Sequence, residues 1–270
     1  MSNWLHDLPI LWMGLFVFGG TYILTAAIYA TVMGLAADDR GRSFKAVSPG
    51  LLPPLGIMFA LFVAFTASQV WNDNQRAQTA VDREASALRA IVVMSASYSA
   101  DIEAQFRDLI RSYIEEATAK EWPLMAQGSI TLSFTPPALA DALRVTLALT
   151  PNSEGQKTAQ REIITAIENA LDARRQRILI SQSQVNLVKW SCLVLLAICA
   201  LVAIAMVHSD NRLASAITMT LFATGVAASV LIILSHDRPF TGDVAVGPGP
   251  LLQGIPATNP APAKSTAAKP

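Results

Sequence analysis

The sequence predicts an all-α membrane protein: four transmembrane helices, with a helical extramembrane bundle inserted between spans two and three. Three observations predict it. Of 270 residues, 52% are hydrophobic and only 15% charged, where soluble domains carry about a quarter charged residues. The apolar excess is gathered into four blocks, each long enough for the roughly 20 residues a bilayer core requires. From Ile57 to Leu88 the chain also runs without a Pro or Gly, so the second block continues as helix into a polar stretch.

A short N-terminal segment, 1–7, precedes the first span at 8–35. Thirty uncharged residues lie between Asp7 and Asp38. The stretch lacks a basic n-region and exceeds the 7–15 apolar residues of a signal-peptide core, so it reads as a span. The second span, 50–71, lies in a stretch with no charge between Lys45 and Asp73. Its Pro53 and Pro54 fall at the start, where missing amide donors cost least. The third span, 187–208, begins with Lys189 and Trp190 as interface anchors. The fourth, 212–235, follows the link HSDNR, which is too short to recross a membrane, so spans three and four form an antiparallel hairpin.

Four crossings place both chain ends and the region 72–186 on one side, and the loop 38–45 and link 208–212 on the other. Basic residues do not separate the sides: Arg40, Arg42 and Lys45 stand in the first loop, and Arg76, Arg83, Arg89, Arg174, Arg175 and Arg177 in the central region. No span carries a charge in its middle, which argues against an ion-coupled carrier built on intramembrane carboxylates. His6, His208 and His236 lie at span edges on two different sides and form no common metal site. Cys192 and Cys199 are seven residues apart, about 10 Å along a helix axis, which is too far for a disulfide. Lys+Arg and Asp+Glu are equal at 20 each, so nothing in the charge points to nucleic acid.

In the region 72–186, apolar residues recur at helical spacing through Val81, Leu88 and Ile91, then Ile102, Phe106, Leu109 and Tyr113. The SASYSAD run at 95–101 interrupts them, with Ser99 or Asp101 as cap of the next helix. Pro123 in KEWPLMAQG is expected to stop that helix and Gly128 to open a loop. ITLSFTPP reads as a short extended piece, followed by a helix from Ala138 to Leu149. From Ala159 a long helix is expected to run on into the third span. After a turn segment at 236–252, the tail 253–270, rich in Pro and Ala, reads as disordered.

Two charges fall on apolar stripes. Val81, Glu84, Leu88 and Ile91 step by 3, 4 and 3; Ile164, Ile167, Leu171, Arg174 and Ile178 form the stripe of the last long helix. Glu84 lies roughly 20 Å beyond Trp71, and Arg174 roughly 21 Å before Val188, at 1.5 Å per residue. Antiparallel neighbours would bring them level, so an interhelical Glu84–Arg174 ion pair is expected, because an unpaired buried charge is costly.

Several short pieces occur in a telling order: DREASALRAI at 82–91, Tyr113 then EWPLMAQG at 121–128, DARRQRI at 172–178 and HDRPFTG at 236–242. In these the chain resembles the bestrophin-like domain family of four-span membrane proteins from bacteria and plants. The resemblance runs from the second span to about Leu251. It marks Glu121, Trp122, Pro123, Asp237, Arg238, Pro239, Phe240 and Gly242 as motif positions. The sequence departs from the family at QVNLVKW, where a proline would be expected before the Trp.

This family is similar to bestrophins, which are pentameric anion channels with cytosolic domains. The resemblance implies a multi-pass protein of the plasma (inner) membrane, surrounded by membrane lipid and assembled as a homo-oligomer. It places the termini and central domain in the cytoplasm. It also implies that the second span lines a pore, where Ile57, Leu61 and Phe65, one turn apart, are the candidates for a dewetting constriction. The acidic calcium-binding cluster of animal bestrophins has no counterpart after span four, where only Asp237 and Asp243 occur, so calcium gating is not expected. Within HDRPFTG, Pro239 ends the fourth helix, Gly242 permits a turn, and Arg238 lies favourably against the helix dipole.

No nucleophile elbow, HExxH, CxxC or phosphate loop occurs, so neither an enzyme nor a cofactor is expected. Two functions remain. One is an oligomeric anion channel that calcium does not gate. The other is a non-conducting membrane scaffold or sensor whose helical domain binds a cytoplasmic protein partner, in keeping with a second span that is polar only at Thr66, Ser68 and Gln69, near one end.

Overall fold

A computed structural model describes residues 8–36, 44, 50–132 and 135–256. The segment 1–7 with His6, the loop residues Arg40, Arg42 and Lys45, and the tail from residue 257 lie outside the described residues. The fold is all-α, with no strand among the described residues, those of ITLSFTPP included. Helices are α1 (Ile10–Leu35), α2 (Leu52–Ser95), α3 (Ala100–Glu116), α4 (Trp122–Ala126), α5 (Pro137–Ala148), α6 (Glu154–Ser181), α7 (Leu187–Val207), α8 (Arg212–His236) and α9 (Gly249–Leu252). Four of them, α1, α2, α7 and α8, are long and apolar enough to cross a membrane.

The chain forms two compact units, 1–76 with 181–246, and 77–180 with 247–270. Helix α2 is one helix of 44 residues that supplies both. In the membrane unit α1 packs against α7 and α8, and α7 against α8. Their contact is rich in small residues: Ala197, Ala200, Ala203, Ala205, Ala223 and Ala227 are all buried. Small side chains let helix backbones approach closely where lipid supplies no hydrophobic drive between helices. The first part of α2 joins through Phe59, whose ring lies 5.6 Å from that of Phe222, and through Val70. Several hydroxyls within the spans turn back on their own helices, Thr25 to the Thr21 carbonyl and Thr66 to that of Phe62, both at 2.8 Å, which satisfies these donors where lipid cannot.

In the bundle, α3 packs on α5, and the buried stripes are Ala77, Val81, Glu84, Leu88 and Ile91 of α2, Phe106, Ile110, Tyr113 and Ile114 of α3, and Ile163, Ile167, Ala170 and Arg177 of α6. Loops are tied by side chains: Tyr98 donates to the Gln156 carbonyl at 2.6 Å, and Gln160 to those of Thr146 and Leu149. The C-terminal segment belongs to this unit, where Leu251 is fully buried and Arg111 donates to the Pro256 carbonyl. Residues 253–256, expected to be disordered, are therefore held.

Two expectations about helix ends are corrected. Pro123 does not stop the helix. A π turn, Ala117–Glu121, follows α3 directly, and Trp122 N–H bonds the carbonyl of Ala117 five residues back. Pro123 then sits in the first turn of α4, where its missing N–H falls at a change of hydrogen-bond register and leaves no partner stranded. Nor does α6 run into α7. It ends at Ser181, and α7 starts afresh with Asn186 as N-cap, its Oδ1 accepting from Val188 N at 3.1 Å. The cap does the work of the absent proline.

Candidate functional site

The bundle interior holds one charged cluster, centred on Arg177, which is fully buried. Its Nε donates to Glu84 Oε2 at 2.7 Å and its Nη2 to Glu84 Oε1 at 2.9 Å, a bidentate fork. The same Nη2 reaches Glu121 Oε2 at 2.9 Å, and Nη1 points at the Met125 sulfur at 3.2 Å. The guanidinium lies over the Trp122 ring, 4.6 Å from its centroid. Tyr113 donates its hydroxyl to Glu84 Oε1 at 2.5 Å. Arg174 donates through Nε and Nη2 to Glu121 Oε1, at 2.8 and 2.7 Å. Two carboxylates thus face two guanidiniums, and no buried side-chain N or O among the described residues lacks a partner.

The π turn builds this arrangement. By adding one residue per turn where α3 passes into α4, it places Glu121, Trp122 and Met125 on the side that holds Arg177, while Tyr113 comes from the α3 stripe.

Glu84 is buried on the α2 stripe, but the expected Glu84–Arg174 pair does not form: its fork partner is Arg177. Arg174, one turn away, pairs with Glu121. The stripe of α6 runs through Ile163, Ile167, Ala170, Ala173 and Arg177; Ile164 and Leu171 are only half-buried. Bulky residues had set the phase, and counting alanines as core would have pointed to Arg177.

Burial alone would lower the Arg177 pKa, but the adjacent Glu84 charge and its hydrogen bonds outweigh this and raise it. The Tyr113 phenol is pushed well above its ordinary value by burial, then by Glu84, with Arg177 opposing. A group whose folded pKa is raised contributes stability that is complete below its unfolded value, about 10 for Tyr, and lost as pH climbs through the folded value. Tyr113→Phe is expected to cost about 1 kcal/mol at neutral pH and to flatten the alkaline fall in stability above pH ~10. Denaturant titrations at several pH values check both. An alkaline limb unchanged in the variant would contradict the assignment.

The second assembly is the HDRPFTG turn, within the membrane unit. Asp237, the C-cap of α8, is largely buried and its Oδ1 accepts the Val185 amide at 2.6 Å. It thereby fixes the segment between α6 and α7. Pro239 O accepts Val246 N at 2.7 Å, Phe240 is buried, and Gly242 has φ +87°, a left-handed value that favours glycine. Arg238 donates to Gln184 Oε1 at 3.2 Å. Asp243 accepts the Ile10 amide at 3.0 Å, placing a carboxylate on the positive end of α1. The Asp237 pKa is raised, by burial first, with the Val185 amide and Arg238 opposing.

The third feature is the line Ile57, Leu61 and Phe65 on α2, which are 61%, 51% and 72% exposed. The other side of the same segment, Phe59, Phe62, Val63 and Val70, packs into the membrane unit. His236 lies tilted against Trp71, ring centroids 6.0 Å apart, and His208 Nδ1 lies 3.1 Å from the Ile204 carbonyl. Cys192 and Cys199 are free thiols, and no group of metal-ligating side chains gathers among the described residues.

Three of the four sequence pieces singled out above converge on Arg177, and the fourth is the Asp237 turn. A family model, described as Bestrophin-like domain, matches residues 19–251. No curated protein and no solved structure matches the chain.

Proposed function

The chain belongs to the Bestrophin-like domain family, and on that premise we propose that it is the subunit of a homo-oligomeric anion channel of the plasma (inner) membrane. In this reading α2 lines the path, the bundle and both chain ends lie in the cytoplasm, and the protein is not an enzyme. The observation that carries the reading is the outward line of Ile57, Leu61 and Phe65. One side of α2 is consumed by its own unit and the other is an apolar row one turn apart, which several copies would bring together as rings. Calcium does not gate this channel: Asp237 and Asp243, the two acids after α8, are each engaged with a backbone amide.

Leu61→Ser is expected to hydrate the narrow row and raise chloride flux above wild type without loss of assembly. Unchanged flux from a conducting wild type would remove Leu61 from the path. A second reading, a non-conducting scaffold, is favoured by an open polar cleft of about 560 Å³ between α2 and α6, lined by residues that include Thr79, Asp82, Arg83, Asn169 and Asp172. Native mass spectrometry from lipid nanodiscs separates the two: an oligomer supports the channel, and a monomer in native lipid supports the scaffold.

A further inference from the structure

We propose that Lys189 and Gln69 form an anion-binding site at the membrane boundary, taking the phosphate of an anionic lipid headgroup or a free inorganic anion. Lys189 is the third residue of α7, half-buried, and its ammonium donates to Gln69 Oε1 in the last turns of the α2 span. That contact consumes the one acceptor of the pair. Two N–H groups of the ammonium and two of the Gln69 amide are left as donors. No acidic side chain among the described residues pairs with Lys189. The nearby acids face elsewhere, Asp73 towards Arg76 at 3.8 Å and Asp237 towards the Val185 amide.

A half-buried ammonium balanced only by a neutral amide is an incomplete arrangement. A ligand that brings negative charge and several acceptor oxygens completes it. The surroundings suit a headgroup: Trp71 is 64% exposed two residues beyond Gln69, and an exposed aromatic ring of this kind marks the level of the lipid headgroups. The first turn of α7 adds the positive end of its helix dipole. This site is independent of whether the chain conducts.

The full chain is placed in phosphatidylcholine nanodiscs, with or without phosphatidylglycerol, in chloride buffer with or without inorganic phosphate. Retained lipid is counted by native mass spectrometry and the thermal midpoint recorded. Wild type and Lys189→Arg are expected to respond; a response to phosphatidylglycerol assigns a lipid phosphate, one to inorganic phosphate a free anion. Lys189→Met is expected to bind about tenfold more weakly or worse, as for the loss of a charge-assisted hydrogen bond. Gln69→Glu supplies an internal carboxylate, so it stays folded and also loses the response. Equal responses in wild type and Gln69→Glu, or no response of wild type to either anion, would overturn the proposal.

Discussion

Glu84→Ala is expected to destabilise the bundle by about 3–5 kcal/mol, the cost of leaving a buried guanidinium without its carboxylate. Arg177 is fully buried and both Glu84 oxygens serve it. Without Glu84, the remaining anionic contact is a single bond to Glu121, which Arg174 also claims. Tyr113 loses its acceptor in the same step. The double variant Glu84→Leu/Arg177→Met should cost far less than the sum of its single changes, since it removes the charge along with its partner and leaves Glu121 to Arg174. Urea titration followed by tryptophan fluorescence checks this, because Trp122 lies under the guanidinium. A loss below about 1 kcal/mol for Glu84→Ala, the range of an exposed pair, would show that the cluster is not dry.

Asp237→Ala is expected to cost about 2 kcal/mol, the penalty for a buried backbone N–H left without an acceptor. Val185 N–H is that donor. Asp237→Asn keeps an oxygen in place and should behave differently. Burial raises the Asp237 pKa, so the folded state holds its proton more tightly than the unfolded chain does. Its stabilising effect is therefore complete below the unfolded value, about 3.9, and is lost as pH rises through the folded value. The Asn variant lacks that loss. It should match or exceed wild type at neutral pH, with a flatter profile as pH rises above about 4. Thermal melts across that range check the pair of variants, and Asn falling as far as Ala would show that the charge itself is what Val185 requires.

The four spans were legible because thirty uncharged residues in a row, or Pro53 and Pro54 heading an apolar block, have few other readings. Glu84 stood out for a similar reason, as the one charge on an otherwise apolar stripe. Its partner did not, because α6 turns alanines inward: Ala166, Ala170 and Ala173 are buried while Ile164 and Leu171 are half-exposed. Residue size is a poor guide where helices approach closely. The π turn left no periodic trace either, since one extra residue at Ala117–Glu121 shifts the phase of everything after it. Pro123 looked like a stop for want of that shift. The break before α7 is also tied by Asp237, 52 positions from the amide it holds, and no local pattern reports such a contact. The resemblance marks Tyr113, EWPLM and DARRQRI, whose meeting point at Arg177 periodicity does not reveal.

Chloride efflux from liposomes reconstituted with the purified wild-type chain tests the central claim most directly. Efflux above that of empty vesicles is expected, unchanged by calcium or its chelation. Efflux equal to that of empty vesicles, from protein shown to be assembled in the same membranes, would contradict it.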